Sequence, residues 1–195
     1  MFQASEQTLR LSSTLRYPLI SAAAEIKFAY SRAHMEEPCE AAERIRGALS
    51  ELTTVKFFLM RGMFLGWLTE VHLLRGDLAK ATTSVEQALE FTDEELLFRP
   101  ELLRLRGKVR LRGGPRGNAR LEVAEEDFRS AVNCARAMNA KSDELRATIA
   151  LARLLCDSNR HDEARTILTD IYSWFTEGFN TGDLREAKLL LDELT

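Results

Sequence analysis

The sequence predicts an all-α protein: a right-handed α-α superhelix of about four helical hairpins, with an additional N-terminal helix and a C-terminal capping helix. Two observations lead to this prediction. A spacing of small and large apolar residues recurs at a nearly constant interval along the 195 residues. Only four prolines and ten glycines interrupt the chain, which suits long helices joined by short turns.

The recurring spacing is an alanine followed by a larger apolar residue at +4 and a small or apolar residue at +7. These positions share one face of a helix with 3.6 residues per turn. The four copies begin at Ala41, Ala81, Ala124 and Ala164, so they are 40, 43 and 40 residues apart. A fixed period of this size is typical of a solenoid. The small residue allows two helices to cross at a short distance.

A second small residue precedes each of these alanines, and we assign it to the preceding helix of a hairpin. These residues are Ala29, Thr69, Gly107 and Ala152. Gly76 and Asn159 stand five residues before the repeat alanine, where a left-handed residue would end a helix. Helix, turn and helix therefore recur as in the tetratricopeptide pattern, lengthened from about 34 to about 40 residues. The pattern departs from that motif because no tryptophan begins the first helices and Ile171 replaces a small residue.

The hairpin units are predicted at residues 19–52, 55–91, 100–138 and 142–178 of one continuous domain, residues 1–195. A helix at residues 1–14 precedes them and is separated by Pro18. Pro38 fits the first turn of the second helix, and Pro100 opens the third unit. Residues 55–75 are apolar nearly all round, which predicts a buried inner helix rather than a membrane span, because Lys56 and Arg61 interrupt the run.

The remaining helices are predicted from capping residues and charge. Asp77 is expected to cap the second helix of the second unit, and Glu144 lies in the first turn of the fourth unit, where the helix dipole favours an acid. The last helix of the fourth unit is expected to run from His161 to about Gly178. The C-terminal cap, residues 182–195, is expected to begin with Thr181 or Asp183 as its capping residue, and it has one apolar face for the stack and one polar face for water.

Three stretches resemble a known family. They are RPELLRLRGKV (Arg99 to Val109), EEDFRSAVNCARAMNAKSDELRATIALARLL (Glu125 to Leu155) and YSWFTEGFNTGDLREAKLLLDEL (Tyr172 to Leu194). They are similar to the C-terminal tetratricopeptide-like repeat region of bacterial multidomain signalling ATPases of the adenylate or guanylate cyclase or winged-helix transcriptional regulator type. The resemblance implies a sensor or protein-interaction region. It does not imply cyclase, ATPase or DNA-binding activity, because the motifs for these are missing.

Composition and motifs narrow the function further. A net charge of −3 argues against direct nucleic-acid binding and against an anionic membrane surface. Three cysteines without a C-x-x-C pair suit the cytoplasm, and the three histidines lack metal-ligand spacing. Neither G-x-x-x-x-G-K-[ST] nor G-x-S-x-G occurs. We therefore expect no enzyme activity and no cofactor. We expect a protein-interaction or sensor module, with a small-molecule effector-binding repeat domain as the alternative; association of identical chains stays open.

Eight cations between Arg99 and Arg120 are opposed in sequence only by Glu101. They favour a solvated helix, with a groove for an acidic protein segment or a nucleic-acid patch as alternatives. In a tetratricopeptide stack the first helices line the concave face. Counting along them predicts a partner groove that contains Arg104, Lys108, Arg146 and Arg153. Adjacent cations would favour an acidic or carboxylate-bearing peptide, unless Glu101, Asp143 or Glu144 already neutralises them.

Overall fold

A computed structural model describes residues 2–14, 17–35, 38–91, 96–113 and 118–194. This part of the chain is all-helical and contains no strand, which confirms the all-α prediction. The helices are α1 Phe2–Thr14, α2 Pro18–Ala33, α3 Pro38–Thr54, α4 Arg61–Leu74, α5 Leu78–Glu90, α6 Arg99–Gly113, α7 Asn118–Ala137, α8 Lys141–Asp157, α9 His161–Tyr172 and α10 Gly182–Glu193, with a 3-10 turn at Leu96–Phe98. They form two compact units, Met1–Leu96 (unit 1) and Leu97–Thr195 (unit 2).

In unit 1, each helix packs on the one that follows it, from α1 on α2 to α4 on α5, and α2 also contacts α4. The predicted small residues lie inside: Ala29, Ala41, Thr69 and Ala81 are all buried. Ile26, Ile45, Val71 and Val85 are fully buried beside them and form the apolar core, so the recurring spacing marks the buried face of each helix.

Unit 2 follows the same scheme from α6 to α9, and α6 also contacts α8. Phe128 on α7 is 1 % exposed and lies against Gly107 on α6. A Cβ built on Gly107 would stand 2.5 Å from Phe128 Cε1. The predicted small residue Gly107 thus meets the larger apolar residue of the recurring spacing, four positions after Ala124, where the two helices cross. α10 packs on both α8 and α9 and buries Leu184, Ala187 and Leu190, which is the apolar face expected of the C-terminal helix.

The predicted turns are present. Gly76 and Asn159 have φ angles of 72° and 59°, the left-handed conformation that ends a helix. Asn139 ends α7 in the same way, with a φ of 54°. The side chain of Asp77 accepts a hydrogen bond from the backbone N–H of Lys80 and so caps α5 as predicted.

The predicted helix over residues 55–75 begins too early. α3 continues to Thr54 and α4 begins only at Arg61. Between them Lys56 and Met60 adopt left-handed φ angles of 55° and 64°. The N–H of Phe57 donates to the carbonyl of Leu52, a bond that closes α3 in the manner of a helix C-terminus. The apolar run misled the prediction because hydrophobicity without a capping residue does not locate a helix start; Phe58 and Leu59 are in fact exposed.

The last helix of the fourth unit also ends earlier than expected. α9 stops at Tyr172, not near Gly178, and Phe175 lies beyond it. Backbone N–H groups of Ser173, Trp174 and Phe175 still make helix-end hydrogen bonds, which explains why the periodicity continues past the helix. In the Gly-rich loop, Gly113 is the last residue of α6 and Asn118 the first of α7, while residues 114–117 lie outside the described part.

Candidate functional site

The four predicted groove residues lie on two neighbouring helices of unit 2. Arg104 and Lys108 are on α6, and Arg146 and Arg153 are on α8. Arg146 reaches across to α6, where its Nε is 3.7 Å from Oε2 of Glu101. Glu101 also binds Arg104. The structure therefore brings Arg104 and Arg146 together around one carboxylate.

Arg104 belongs to the interior of unit 2. It is 7 % exposed, and its Nε and Nη2 donate to the two carboxylate oxygens of Glu101 at 2.8 and 2.5 Å. A two-pronged bond of this kind is the strongest arginine–carboxylate geometry. Burial raises the pKa of Glu101, but the hydrogen bond from Arg104 and the charges of Arg104, Arg146 and Lys108 lower it more, so the net shift is downward. Glu101 is therefore ionised at neutral pH and compensates the buried arginine.

Arg146 connects three helices. It contacts Asp143 on α8, Glu101 on α6 and Asp183 on α10, with an Nη1–Oδ2 distance of 3.6 Å to Asp183. Burial lowers the pKa of Arg146, but the three carboxylates raise it by more, so the net shift is upward. The guanidinium therefore stays charged. Glu144 takes no part in these contacts, because it is buried against Arg136 and Lys141 at 2.9 and 2.8 Å.

Arg153 is the most exposed of the three arginines, with 60 % of its side chain accessible. Its Nη2 lies 3.0 Å from Oε1 of Glu186 on α10. Because Arg104, Arg146 and Arg153 each contact a carboxylate of the same chain, an incoming carboxylate would have to compete with these groups. The sequence contained no signal for Asp183 and Glu186 as partners, since they are supplied by the packing of α10.

A groove of about 700 Å³ separates part of α8 from α10. We call it the α8–α10 groove. Its lining includes Arg153, Cys156, Leu189 and Leu190, and Leu189 is 64 % exposed. Burial raises the pKa of the Cys156 thiol, and the nearby charges of Asp157 and Glu193 act in the same direction. This cysteine is therefore a neutral thiol at neutral pH rather than an activated nucleophile.

A second exposed feature begins at the last residue of α9 and continues beyond it. Four aromatic residues occur within residues 172–179, which we call the aromatic segment: Tyr172, Trp174, Phe175 and Phe179. Trp174 is 57 % exposed and Phe179 is exposed as well. Trp174 contacts Phe175 edge-on at 5.1 Å between ring centroids, and Lys141 Nζ lies 5.7 Å from the Trp174 ring. The exposed rings are thus held by neighbours, although they lie between two helices.

Two other arginines of α6, Arg106 and Arg110, form ion pairs within unit 2, which favours a structural role over a nucleic-acid surface. Arg106 donates from Nε and Nη2 to Asp127 Oδ1 at 3.0 and 2.8 Å. Arg110 Nη1 lies 3.1 Å from Oδ2 of the same residue. Asp127 is buried on α7. A buried carboxylate of this kind requires cations, so part of the basic run serves to join α6 to α7.

Within the described residues, no cluster of three or more His, Cys, Asp or Glu side chains is arranged to hold a metal ion. None of the described helices combines the length and apolarity that a membrane span requires. A comparison with protein-family models found no match, and a comparison with curated proteins found none either.

Proposed function

We propose that the chain is a non-catalytic protein-interaction or sensor module of a cytoplasmic bacterial signalling or transcriptional regulator. Its helical hairpins, with small residues at their crossings, support a tetratricopeptide-like repeat as the scaffold. The resemblance of residues 99–109, 125–155 and 172–194 to the repeat regions of signalling ATPases supports the regulator context. The absence of nucleotide-binding and hydrolase motifs from the sequence supports a binding role over catalysis.

The observation that carries this proposal is the aromatic segment. An exposed aromatic ring that lies against another ring, as Trp174 does against Phe175, favours an interaction site more than a single exposed apolar residue does. Tryptophan and tyrosine are also enriched among the residues that contribute most to binding energy. Trp174, at 57 % exposure, is therefore the residue on which a partner is expected to depend most.

The α8–α10 groove adds a second contact region in the same unit. Exposed Leu189 offers an apolar anchor, and Arg153 offers a cation to an acidic partner segment. Since Arg153 already contacts Glu186 at 3.0 Å, we expect such a carboxylate to add specificity and salt sensitivity more than affinity. Arg104 and Arg146 are expected to stabilise the packing of α6, α8 and α10 rather than to contact the partner. Lys108, half-buried on α6, stays a predicted groove residue.

The test is quantitative partner capture from lysate by wild-type protein, Trp174→Ala, Arg153→Glu and the control Arg165→Glu. Arg165 is exposed on α9 and lies outside both regions, so its variant matches the charge change without touching the proposed surface. Trp174→Ala should reduce capture of a discrete partner by at least about tenfold. Arg153→Glu should weaken capture chiefly at low salt. Equal capture by all four proteins, each with an unchanged helical circular dichroism spectrum, would refute the proposal.

A specific observation favours a second candidate, the effector-binding function. Unit 1 contains a cavity of about 390 Å³ that is lined by cations and has an apolar floor. Cavities of this size hold small organic molecules. In this second candidate the module would bind a small molecule as well as, or instead of, a protein segment.

A further inference from the structure

The cavity in unit 1 lies among α3, α4 and α5. Leu65, Leu68 and His72 of α4 line it, together with Arg46 of α3, Lys80 of α5 and Arg61 at the start of α4. All three helices belong to one compact unit, and α4 packs on both α3 and α5. The cavity is therefore a groove between α3 and α5 with α4 as its floor.

The charged residues among the described lining of this cavity are all positive. Arg46, Arg61 and Lys80 line it, whereas no Asp or Glu is among its described lining residues. Arg46 contacts Glu43 on its own helix, and Lys80 Nζ lies 3.0 Å from Asp77 Oδ2, but neither carboxylate lines the cavity. Arg61 donates from Nη1 to Thr53 Oγ1 at 2.8 Å. Three cations on one concave surface attract an anion and concentrate it there.

Two buried nitrogens at the cavity have no hydrogen-bond partner within the described chain. They are Nε of Arg61 and Nδ1 of His72. His72 is only 1 % exposed. A buried polar nitrogen without a partner destabilises the fold, and a bound ion or water is one way in which such a group obtains its hydrogen bond. Both nitrogens belong to residues that line the same cavity, which distinguishes this surface from an ordinary cluster of surface cations.

Arg61 is also held in place for a ligand. Its guanidinium lies 4.9 Å from the centroid of the Phe91 ring and 5.8 Å from that of Phe58. Contacts between a guanidinium and aromatic rings fix the orientation of the cation without neutralising it. Leu49, Leu65 and Leu68 are buried under the cavity and provide an apolar surface next to the charged one. The ligand that fits this arrangement has an anionic head and a small apolar body.

We propose that unit 1 binds a small organic anion, a carboxylate or phosphate monoester with a compact apolar body, in the cavity between α3 and α5. Arg61 and Lys80 contact the anionic head, Arg46 adds long-range attraction, and the leucines contact the body. The biological meaning of this site rests on the effector-binding function proposed above. The binding itself is independent of the aromatic segment and the α8–α10 groove in unit 2.

The test is isothermal titration of the full chain with defined probes. Phenyl phosphate and benzoate have the anionic head on an apolar ring, inorganic phosphate has only the head, and phenol has the ring without the phosphate or carboxylate group. We expect at least one of the two ring-bearing anions to bind saturably, with one molecule bound per chain. Comparison of these two anions distinguishes a phosphate from a carboxylate ligand. Tighter or equal binding of phenol would refute the anion site.

Variants then locate the bound probe. Arg61→Gln and Lys80→Gln should each weaken it about tenfold, the loss expected for one charge-assisted hydrogen bond. The control Lys27→Gln removes one exposed positive charge from α2 of the same unit and should leave affinity unchanged. Lys80 is exposed, so its variant keeps the test valid if Arg61→Gln proves unstable. An equal effect of Lys27→Gln, or no saturable binding of either ring-bearing anion, would overturn the site.

The same probes separate this site from its proposed role. If phenyl phosphate or benzoate binds and changes partner capture, both the site and the effector function are supported. If it binds without changing capture, the site stands and the effector function fails. If neither anion binds while capture still depends on Trp174, this inference fails and the protein-interaction function stands.

Discussion

An added methyl group at Gly107 tests the helix contact in unit 2 directly. Gly→Ala inside a helix ordinarily stabilises by about 1 kcal/mol. At Gly107, however, the new Cβ would lie 2.5 Å from Cε1 and 2.7 Å from Cδ1 of Phe128, well inside the contact distance of about 3.5–4.0 Å between carbon atoms. Phe128 is only 1 % exposed, so a shift of its ring would disturb the surrounding core, and we expect the upper part of the overpacking cost, about 1–3 kcal/mol.

Gly107→Ala should therefore lower the free energy of unfolding by about 1–2 kcal/mol, because overpacking outweighs the gain in helix propensity. Gly47→Ala is the matched control, since a Cβ at this exposed position of α3 would meet nothing within 4 Å. It should stabilise by about 0.5–1 kcal/mol. Urea denaturation followed by circular dichroism measures both changes through the transition midpoint.

The reasoning also predicts a rescue. In a Phe128→Leu background the ring that obstructs the methyl group is removed, so Gly107→Ala should become neutral or stabilising. If Gly107→Ala alone stabilises as much as Gly47→Ala, α6 and α7 do not cross closely at this point. If the cost persists in the Phe128→Leu background, the crossing is close but Phe128 is not its cause.

Three further predictions concern the core, the C-terminal helix and pH. Phe128→Ala should cost about 3–5 kcal/mol in urea denaturation, whereas a loss below about 1 kcal/mol would mean that the ring is not a core residue. Removal of residues 182–195 should uncover the apolar surface that α10 covers on α8 and α9, and sedimentation should detect association; a monomer as stable as the parent would contradict the cap assignment. Burial holds the pKa of His72 below its ordinary value of 6.5, so the unfolded chain takes up a proton first as the pH falls. The stability present above about pH 6.5 should therefore decline below it, and His72→Asn should abolish that part of the decline in melting experiments; an unchanged pH profile would exclude His72.

The sequence predicted the helices best where a local signal marks both an end and a buried face. Ala41, Ala81, Ala124 and Ala164 are all buried, because a small residue at a helix crossing leaves a regular spacing in the chain. Gly76 and Asn159 marked turns, since few other residues adopt a left-handed φ at low cost. Asp77 marked a helix start, because its side chain accepts a local hydrogen bond. Each of these signals acts within one or two turns of a helix.

Predictions failed where an apolar run lacked such a signal. Residues 55–60 are hydrophobic enough for a helix, yet the end of α3 at Thr54 leaves them in a turn. The predicted end of α9 near Gly178 was wrong for the same reason. The rings of the aromatic segment continue the apolar periodicity after the hydrogen bonding of α9 has ended. Hydrophobicity reports an environment of low polarity, but it does not show where the backbone changes direction.

The candidate sites depend on contacts distant in sequence. The sequence named Glu101 and Asp143 as possible partners, and both contact Arg146. It gave no signal for Asp183 and Glu186, which contact Arg146 and Arg153 from α10. The cavity of unit 1 was missed although a local signal existed. Arg46, Ser50 and Thr53 are spaced to share one face of α3, and all three line the cavity. A polar stripe of this kind indicates a surface, but only the packing of α3, α4 and α5 makes it concave.

Site-specific photocrosslinking tests the central claim, that this chain is an interaction module, most directly. A benzoylphenylalanine placed at Thr176, an exposed position of the aromatic segment that leaves Trp174 in place, should form a covalent adduct with one discrete partner in cell lysate. The same group at Arg165, an exposed position of α9 outside the aromatic segment, should form none. An adduct at Thr176 that is lost when purified wild-type chain is added in excess before irradiation would support a saturable surface. No adduct at Thr176, or the same adducts at both positions, would contradict the proposed function.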